Sequence, residues 1–482
     1  MTATDTNGSG EAVRTFPAGF VWGAATAAYQ IEGAATTDGR GPSVWDTFSH
    51  TPGKVRGGDT GDIACDFYNR SEEDLDLMKS LGLAAFRFSI SWSRIQPTGS
   101  GAINQPGIDF YRRIVEGLRE REIAPAITLF HWDLPQALED AGGWAQRDSA
   151  ERFADYAQIM AEAIGPDCDD WMTLNEPQVV ANQGYRLGIH APGVTDDAIA
   201  AATTHHLLLG HGLAVQRLRS ALPAAKIGVA LNLNVVKAAD SFSEAAAVVA
   251  DAEQNRIFLD PILHGSYPTA ARPHMLPPES LVHDGDMELI SAPLDFLGIN
   301  YYAPFYLKRA DGAVSTDRRT PTGGGDVVPF RPAQLPTTAM GWLVEPEGLY
   351  EMLLTVTAEL SDKQPGCRLY ITENGCAAED YVDPNGVVND IERIAYLQGH
   401  LDAAWRAIQA GAPLDGYFQW SLLDNFEWAY GYQKRFGVVF VDFGTQKRIP
   451  KQSARFYQQI ATTNELPASW TGESSGLVAS TA

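Results

Sequence analysis

Cysteine is scarce. Cys65, Cys168, Cys367 and Cys376 are the four in 482 residues, and no two form a C-x-x-C pair. That argues against a disulfide scaffold or a thiol-redox motif, and free thiols in a reducing cytoplasm are the expectation. Positive charge is also short, with 36 Lys and Arg against 60 Asp and Glu, a net charge of −24. A nucleic-acid or anionic-membrane partner needs cationic side chains to neutralise phosphate, so neither is expected. No run reaches the ~18 to 20 apolar residues of a membrane span. The first twenty residues, "MTATDTNGSGEAVRTFPAGF", contain no apolar core of a signal peptide. No G-x-G-x-x-G or G-x-x-x-x-G-K-[ST] follows a strand-like run, and "GGGD" at 323–326 is a lone glycine run. His205, His206 and His211 of "HHLLLGH" lack H-E-x-x-H spacing and sit in an Ala/Leu-rich helical stretch. They read as structural, and no metal site is expected.

What the chain does have is a core-forming 45% of hydrophobic residues and a regular alternation of two patterns. Residues 1–14 and 469–482 are small and polar and read as flexible tails. Residues 15–468 show no internal linker and read as one domain. Eight short apolar runs are strand candidates, at 20–29, 84–91, 124–131, 170–175, 226–236, 294–302, 367–374 and 414–422. Several are apolar on both alternate positions, as expected for parallel strands covered on both faces. Helical patterns lie between them. In "SEEDLDLMKSLG", Ser71 and Asp74 suggest a capping box, Leu75, Met78 and Leu81 one face, and Gly82 the stop. In "DSAERFADYAQIMAEAIG", Asp148 is the candidate cap and Phe153, Tyr156, Met160 and Ile164 the buried face. Eight βα repeats predict an α/β fold, a single (β/α)8 TIM barrel with long βα loops. The Gly- and Pro-rich stretch 305–341 is expected to be one such loop.

A barrel carries its chemistry at the C-terminal ends of its strands. The runs here end in Gln30, Arg87 and Ser91, His131, Asn175 with Glu176, Asn232, Tyr302, Glu373, and Trp420. Any one of these could simply meet solvent, but together they would line one bowl. Glu176 and Glu373 stand out because a pair of carboxyls is the minimum apparatus for cleaving a glycosidic bond. One must carry a proton for the leaving oxygen, and the other must be ionised. A free Glu titrates near ~4.3, so the acid needs its pKa raised by burial or by its partner's charge. Trp132, Trp342, Trp420 and Trp428 near these ends offer flat apolar faces to a pyranose. The amides of Gln30 and Asn175 suit vicinal hydroxyls.

These blocks, "FVWGAATAAYQIEGA", "HWDLP", "TLNEP", "NYY", "ITENG" and "WSLLDNFEW", occur in an order that resembles glycoside hydrolase family 1, retaining β-glucosidases of the (β/α)8 type. The likeness runs from about residue 16 to about residue 457. It implies that Glu176 is the acid/base and Glu373 the nucleophile. It also implies that Asn175 holds the 2-hydroxyl, that Tyr302 hydrogen-bonds the nucleophile, and that Asn300 supports the site. Gln30, His131, Trp420, Glu427 and Trp428 match residues that grip the nonreducing sugar, and Trp342 and Phe436 match aromatics that shape the site and its entrance. The resemblance implies no cofactor, and a small β-glycoside or cello-oligosaccharide as substrate, which would tie the chain to cellulose degradation. An intact Glu176 favours O-glycosides over thioglucosides. Glu427 disfavours the alternative of a 6-phospho-β-glucosidase, since it would repel a phosphate dianion. A sugar-binding barrel without catalysis, the other alternative, could dispense with either Glu. A metal-dependent hydrolase would need clustered His and Asp ligands at strand ends, where only His131 qualifies. The retaining mechanism predicts carboxyls ~5 to 5.5 Å apart. Glucosides, fucosides and galactosides are not separated by these residues, and oligomeric state is left open.

Overall fold

Every one of the eight runs contains a strand. They are β1 (Val21–Ala25), β2 (Ala85–Ser89), β3 (Ala124–Phe130), β4 (Asp170–Asn175), β5 (Lys226–Asn232), β6 (Phe296–Asn300), β7 (Arg368–Asn374) and β8 (Leu414–Trp420). The structure, a computed structural model, describes residues 13–310, 326–468 and 470. Neighbouring strands pair in parallel in chain order, and β8 pairs with β1 to close the barrel. A helix follows each strand: Phe67–Ser80, Gln105–Glu120, Asp148–Ile164, Asp197–Ala221, Ile257–His264, Pro346–Lys363, Ile391–Gln409 and Gln452–Thr463. With helices outside and packed side chains inside, the strands are shielded on both faces. β2 is buried at all five positions, Arg87 included. That is why the runs read as continuously apolar rather than alternating.

Several boundaries differ from the sequence reading. The run 20–29 is a five-residue strand followed by a helical turn, Ala28–Ile31, which carries Gln30. The run 226–236 ends its barrel strand at Asn232, and Val236–Ala238 belongs to another sheet. That small sheet also corrects the loop at 305–341. Phe305–Arg309 and Val327–Phe330 pair antiparallel within it, and most of "GGGD" lies outside the described residues.

The helix caps differ as well. The first outer helix starts at Phe67, not at Ser71, and Asp74 is fully buried against Arg448, 2.8 Å away. Arg70, with φ −115°, marks a kink just before Ser71. Leu75, Met78 and Leu81 do face the core, and Gly82, with φ +69°, ends the helix in the left-handed region. Asp148 lies inside its helix and pairs with Arg152 one turn on. Phe153, Tyr156, Met160 and Ile164 form the buried face.

The tails lie largely outside the described residues. Arg14–Thr15, however, pairs with Glu465–Leu466, which ties Arg14 to the far end of the chain. Trp470 packs edge-on against Phe456.

Candidate active site

The polar strand ends converge on a cavity of about 560 Å³. Glu176 follows β4 directly in the left-handed region (φ 46°, ψ 61°), and Pro177 opens the next helical turn. Trp132 (φ 80°) and Trp428 (φ 49°) share this conformation and also line the cavity. Such backbone costs about 1–3 kcal/mol per residue and persists only where surrounding contacts enforce it. Glu373 sits inside β7. Two residues later, a Cβ on Gly375 would lie 1.8 Å from the Trp420 carbonyl oxygen, so the glycine lets β7 and β8 end against each other.

Hydrogen bonds give the two carboxyls different surroundings. Arg87, wholly buried, donates through Nη1 to Glu373 Oε1 at 2.6 Å and through Nη2 to Asn175 Oδ1 at 2.6 Å. The Tyr302 hydroxyl donates to Glu373 Oε2 at 2.7 Å. Among the described residues Glu176 receives only amides: Asn300 Nδ2 at 2.8 Å and Asn232 Nδ2 at 3.1 Å, both on Oε1. The Thr372 hydroxyl donates to Asn300 Oδ1 at 2.6 Å, which orients that amide. Asn175 Oδ1 accepts from both Arg87 and Asn300, so its Nδ2 must donate to His131 Nε2, 2.9 Å away. His131 is then the tautomer with its proton on Nδ1, and that buried nitrogen has no protein partner.

Electrostatics follow from these contacts. Burial, then the nearby charge of Glu373, pushes Glu176 up to about 8, against the pull of the Asn300 and Asn232 amides and of Arg87. Burial raises Glu373 too, but Arg87 and Tyr302 oppose it. A guanidinium and a phenol hold charge on a carboxylate far better than two amides do, so the shared proton resides on Glu176. Glu427 is pushed up to about 8 by burial and then by both carboxylates. Burial holds His131 well below the usual imidazole range, hence neutral.

One wall of the cavity is aromatic. Trp428 packs against Trp132 and Trp45 with ring centres 4.5 and 4.6 Å apart, and His131 stacks on Trp420 at 5.8 Å. Trp342, also on the cavity, lies 5.3 Å from Tyr302 and 5.9 Å from Phe436. Deep carboxyls of opposite protonation under a sugar-sized aromatic wall are the equipment for glycosidic cleavage.

The model of glycosyl hydrolase family 1 matches residues 12–466. The chain belongs to glycosyl hydrolase family 1. It is 46% identical over 461 residues to beta-glucosidase A of Thermotoga maritima, covering 94% of this chain and 99% of that one. It is likewise 46% identical over 460 residues to a bifunctional beta-D-glucosidase/beta-D-fucosidase of Bifidobacterium breve, covering 92% and 98%. The solved structure of the Thermotoga maritima beta-glucosidase in complex with noeuromycin superposes with a TM-score of 0.87, at 46% identity, over 94% of this chain and 99% of that one.

In this family 1 barrel, His131, Glu176, Tyr302, Trp342, Glu373, Trp420, Glu427, Trp428 and Phe436 line the cavity. Gln30, Asn175 and Asn300 do not. They are fully buried and stand behind its wall. Gln30 Nε2 donates to Asn425 Oδ1 and the Phe426 carbonyl, next to Glu427, while its Oε1 has no protein partner. Sequence reasoning noted Arg87 and Asn232 only as strand ends and missed their contacts with Glu373 and Glu176. The signal was a cation in the apolar run "AFRFS", since a buried Arg requires an anion. The three histidines of "HHLLLGH" are separately engaged, by Tyr267 and Asp286, by the Trp144 carbonyl, and by Thr173. Among the described residues Asp260, His264 and Glu359 cluster as metal ligands might, but Arg256 already bridges both carboxylates at 2.5 Å.

Proposed function

We propose that Glu373 is the nucleophile and Glu176 the acid/base of a retaining β-glucosidase acting on terminal, nonreducing β-D-glucosyl residues. The observation that carries this reading is the asymmetry of the two carboxyls, one pinned as an anion by Arg87 and Tyr302, the other protonated among amides. Glu373 attacks the anomeric carbon while Glu176 hands its proton to the leaving oxygen. The glycosyl ester removes the Glu373 charge, which lowers the pKa of Glu176 and readies it to deprotonate a water. That water hydrolyses the ester with a second inversion, so configuration is retained.

The sugar lies against Trp420 and Trp428. His131, which lines the cavity and whose Nδ1 has no partner among the described residues, donates to one of the sugar's hydroxyls, and Gln30 behind the wall braces the Asn425–Phe426 segment that leads to Glu427. Glu427 grips the same end and brings a carboxyl, rather than a cation, to where a phosphate at the 6-position would lie. A fucosyl unit is the natural second substrate, since the Bifidobacterium breve relative is named for both activities. Small soluble β-glucosides and cello-oligosaccharides inside the cytoplasm fit a cavity this size.

Replacing Glu176 by Ala is the test. Turnover of a 2,4-dinitrophenyl β-glucoside should survive its first step far better than that of an alkyl glucoside, and azide should restore the second step with formation of β-glucosyl azide. Equal loss on both leaving groups would refute the assignment. Proton NMR of early product should show the β-anomer.

A further inference from the structure

Asn232 ends β5 beside Glu176. Its Nδ2 and that of Asn300 both point at the same oxygen, Glu176 Oε1. Among the described residues no hydrogen bond reaches Oε2, and Glu176 lines the cavity, so Oε2 is the oxygen left to it. A carboxyl oxygen has two lone pairs, and two N–H donors fill them. A proton on Oε1 would collide with those donors.

The direction of the Asn232 amide is itself enforced. Asn234 Nδ2 donates to Asn232 Oδ1 at 2.6 Å, which leaves the Asn232 Nδ2 end for Glu176. Asn234 is held in turn by Asn255, which accepts from its backbone N at 3.0 Å and donates to its carbonyl at 2.7 Å. Asn255 cannot flip, because its Nδ2 also donates to Asp251 Oδ1 at 2.6 Å, and a carboxylate only accepts. An acid on the helix Glu244–Asp251 thus fixes Asn255, which anchors the backbone of the residue whose side chain orients Asn232.

We infer that Asn232, oriented by Asn234, is a positioning residue that confines the Glu176 proton to Oε2, the oxygen facing the glycosidic bond. The inference rests on Glu176 being the acid/base. In the glycosylation step the Oε2 proton passes to the glycosidic oxygen, which takes the electron pair of the breaking C–O bond. Glu373 supplies the pair for the new bond to the anomeric carbon. The charge left on Glu176 is received at Oε1 by the same two amides. Asn232 therefore assists twice, by placing the proton and by stabilising the anion.

The test uses the full-length enzyme with Asn232→Ala, and Asn234→Ala as a variant that does not touch Glu176. General acid catalysis is worth about 10²- to 10⁴-fold, so a misplaced proton should lower kcat/KM for phenyl β-glucoside by about 10-fold or more. The 2,4-dinitrophenyl β-glucoside, whose leaving group needs no proton, should keep kcat/KM within about threefold on the same reasoning. The alkaline limb of kcat/KM should also move up, because a donor to the ionised form is gone. Glu373, Arg87, Tyr302 and Glu427 are the titratable or charged groups whose fields reach Glu176, and both variants leave them in place. Asn234→Ala should reproduce the pattern more weakly, which keeps the test alive if Asn232→Ala misfolds. Equal losses on both substrates with an unmoved alkaline limb would overturn the inference. Glu176→Ala is the control. If it shows no leaving-group dependence the acid/base assignment has failed, whereas if it does and Asn232→Ala does not, only the present inference has.

Discussion

Replacing Arg87 by Met would remove the charge that keeps Glu373, the proposed nucleophile, ionised. The guanidinium lies 2.6 Å from Glu373 Oε1 and neither side chain is more than 4% exposed, so solvent screening is weak. With charge centres about 4 Å apart and an effective dielectric constant near ~20, the attraction is about 4 kcal/mol. That corresponds to about 3 pH units, less what Tyr302 and relaxation recover, so the acid limb of kcat/KM should rise by about 2 to 3 pH units. The sign is clear because Arg87 favours the charged form, and without it Glu373 holds its proton to higher pH. Breaking a buried pair usually costs about 3–5 kcal/mol, but protonation of Glu373 relieves part of that here. The assay is kcat/KM for a dinitrophenyl glucoside from pH 4 to 9, run well below a Tm measured by circular dichroism. Arg87→Lys keeps the charge and should shift the limb much less. The plateau is a separate readout, since losing the Nη2 contact to Asn175 lowers it without moving the limb. A folded Arg87→Met enzyme with an unshifted acid limb would refute the reasoning.

Three further outcomes are expected. Glu176 is pushed from an ordinary 4.5 up to about 8 in the folded protein, so it favours the fold while protonated and that advantage is lost as pH rises through about 8. Glu176→Gln should therefore be more stable than the parent at pH 9 and nearly equal at pH 4 by urea unfolding. A difference independent of pH would refute this. Lys451, fully buried between Asp380 and Asp424 at 2.6 and 2.7 Å, ties down the segment carrying Glu427 and Phe436, since Asp424 also accepts from the Gly437 backbone N. Lys451→Met should destabilise by about 3–5 kcal/mol in denaturant unfolding and raise KM, whereas an unchanged midpoint would show that the cluster is compensated by Arg393 and Arg435. Finally, a 6-phospho-β-glucoside should not be turned over until Glu427 is replaced by Ser, as followed by release of a chromogenic aglycone.

Periodicity and composition placed all eight barrel strands because a strand shielded on both faces carries apolar residues on both alternate positions, and that mark survives in one dimension. It fails where an element's length depends on neighbours. The run at 20–29 looked like one strand, yet the chain bends into a helical turn after Ala25 to bring Gln30 beside Asn425. Ser71 and Asp74 had the spacing of a capping box, but Asp74 is taken by Arg448, 374 residues away. The loop at 305–341 concealed two strands because its pairing partner, Val236–Ala238, lies far back in the chain.

The sequence by itself determined the barrel and the family and singled out the two carboxyls proposed for catalysis, since strand ends, motif order and residue type are local properties. It also made clear that one carboxyl must be protonated and one ionised. Which environment does which was decided only by the tertiary structure. Arg87 from β2 and Tyr302 from beyond β6 meet Glu373, while amides from β5 and β6 meet Glu176. A pKa is set by burial and by charges within a few ångströms, and those distances exist only once the barrel has closed.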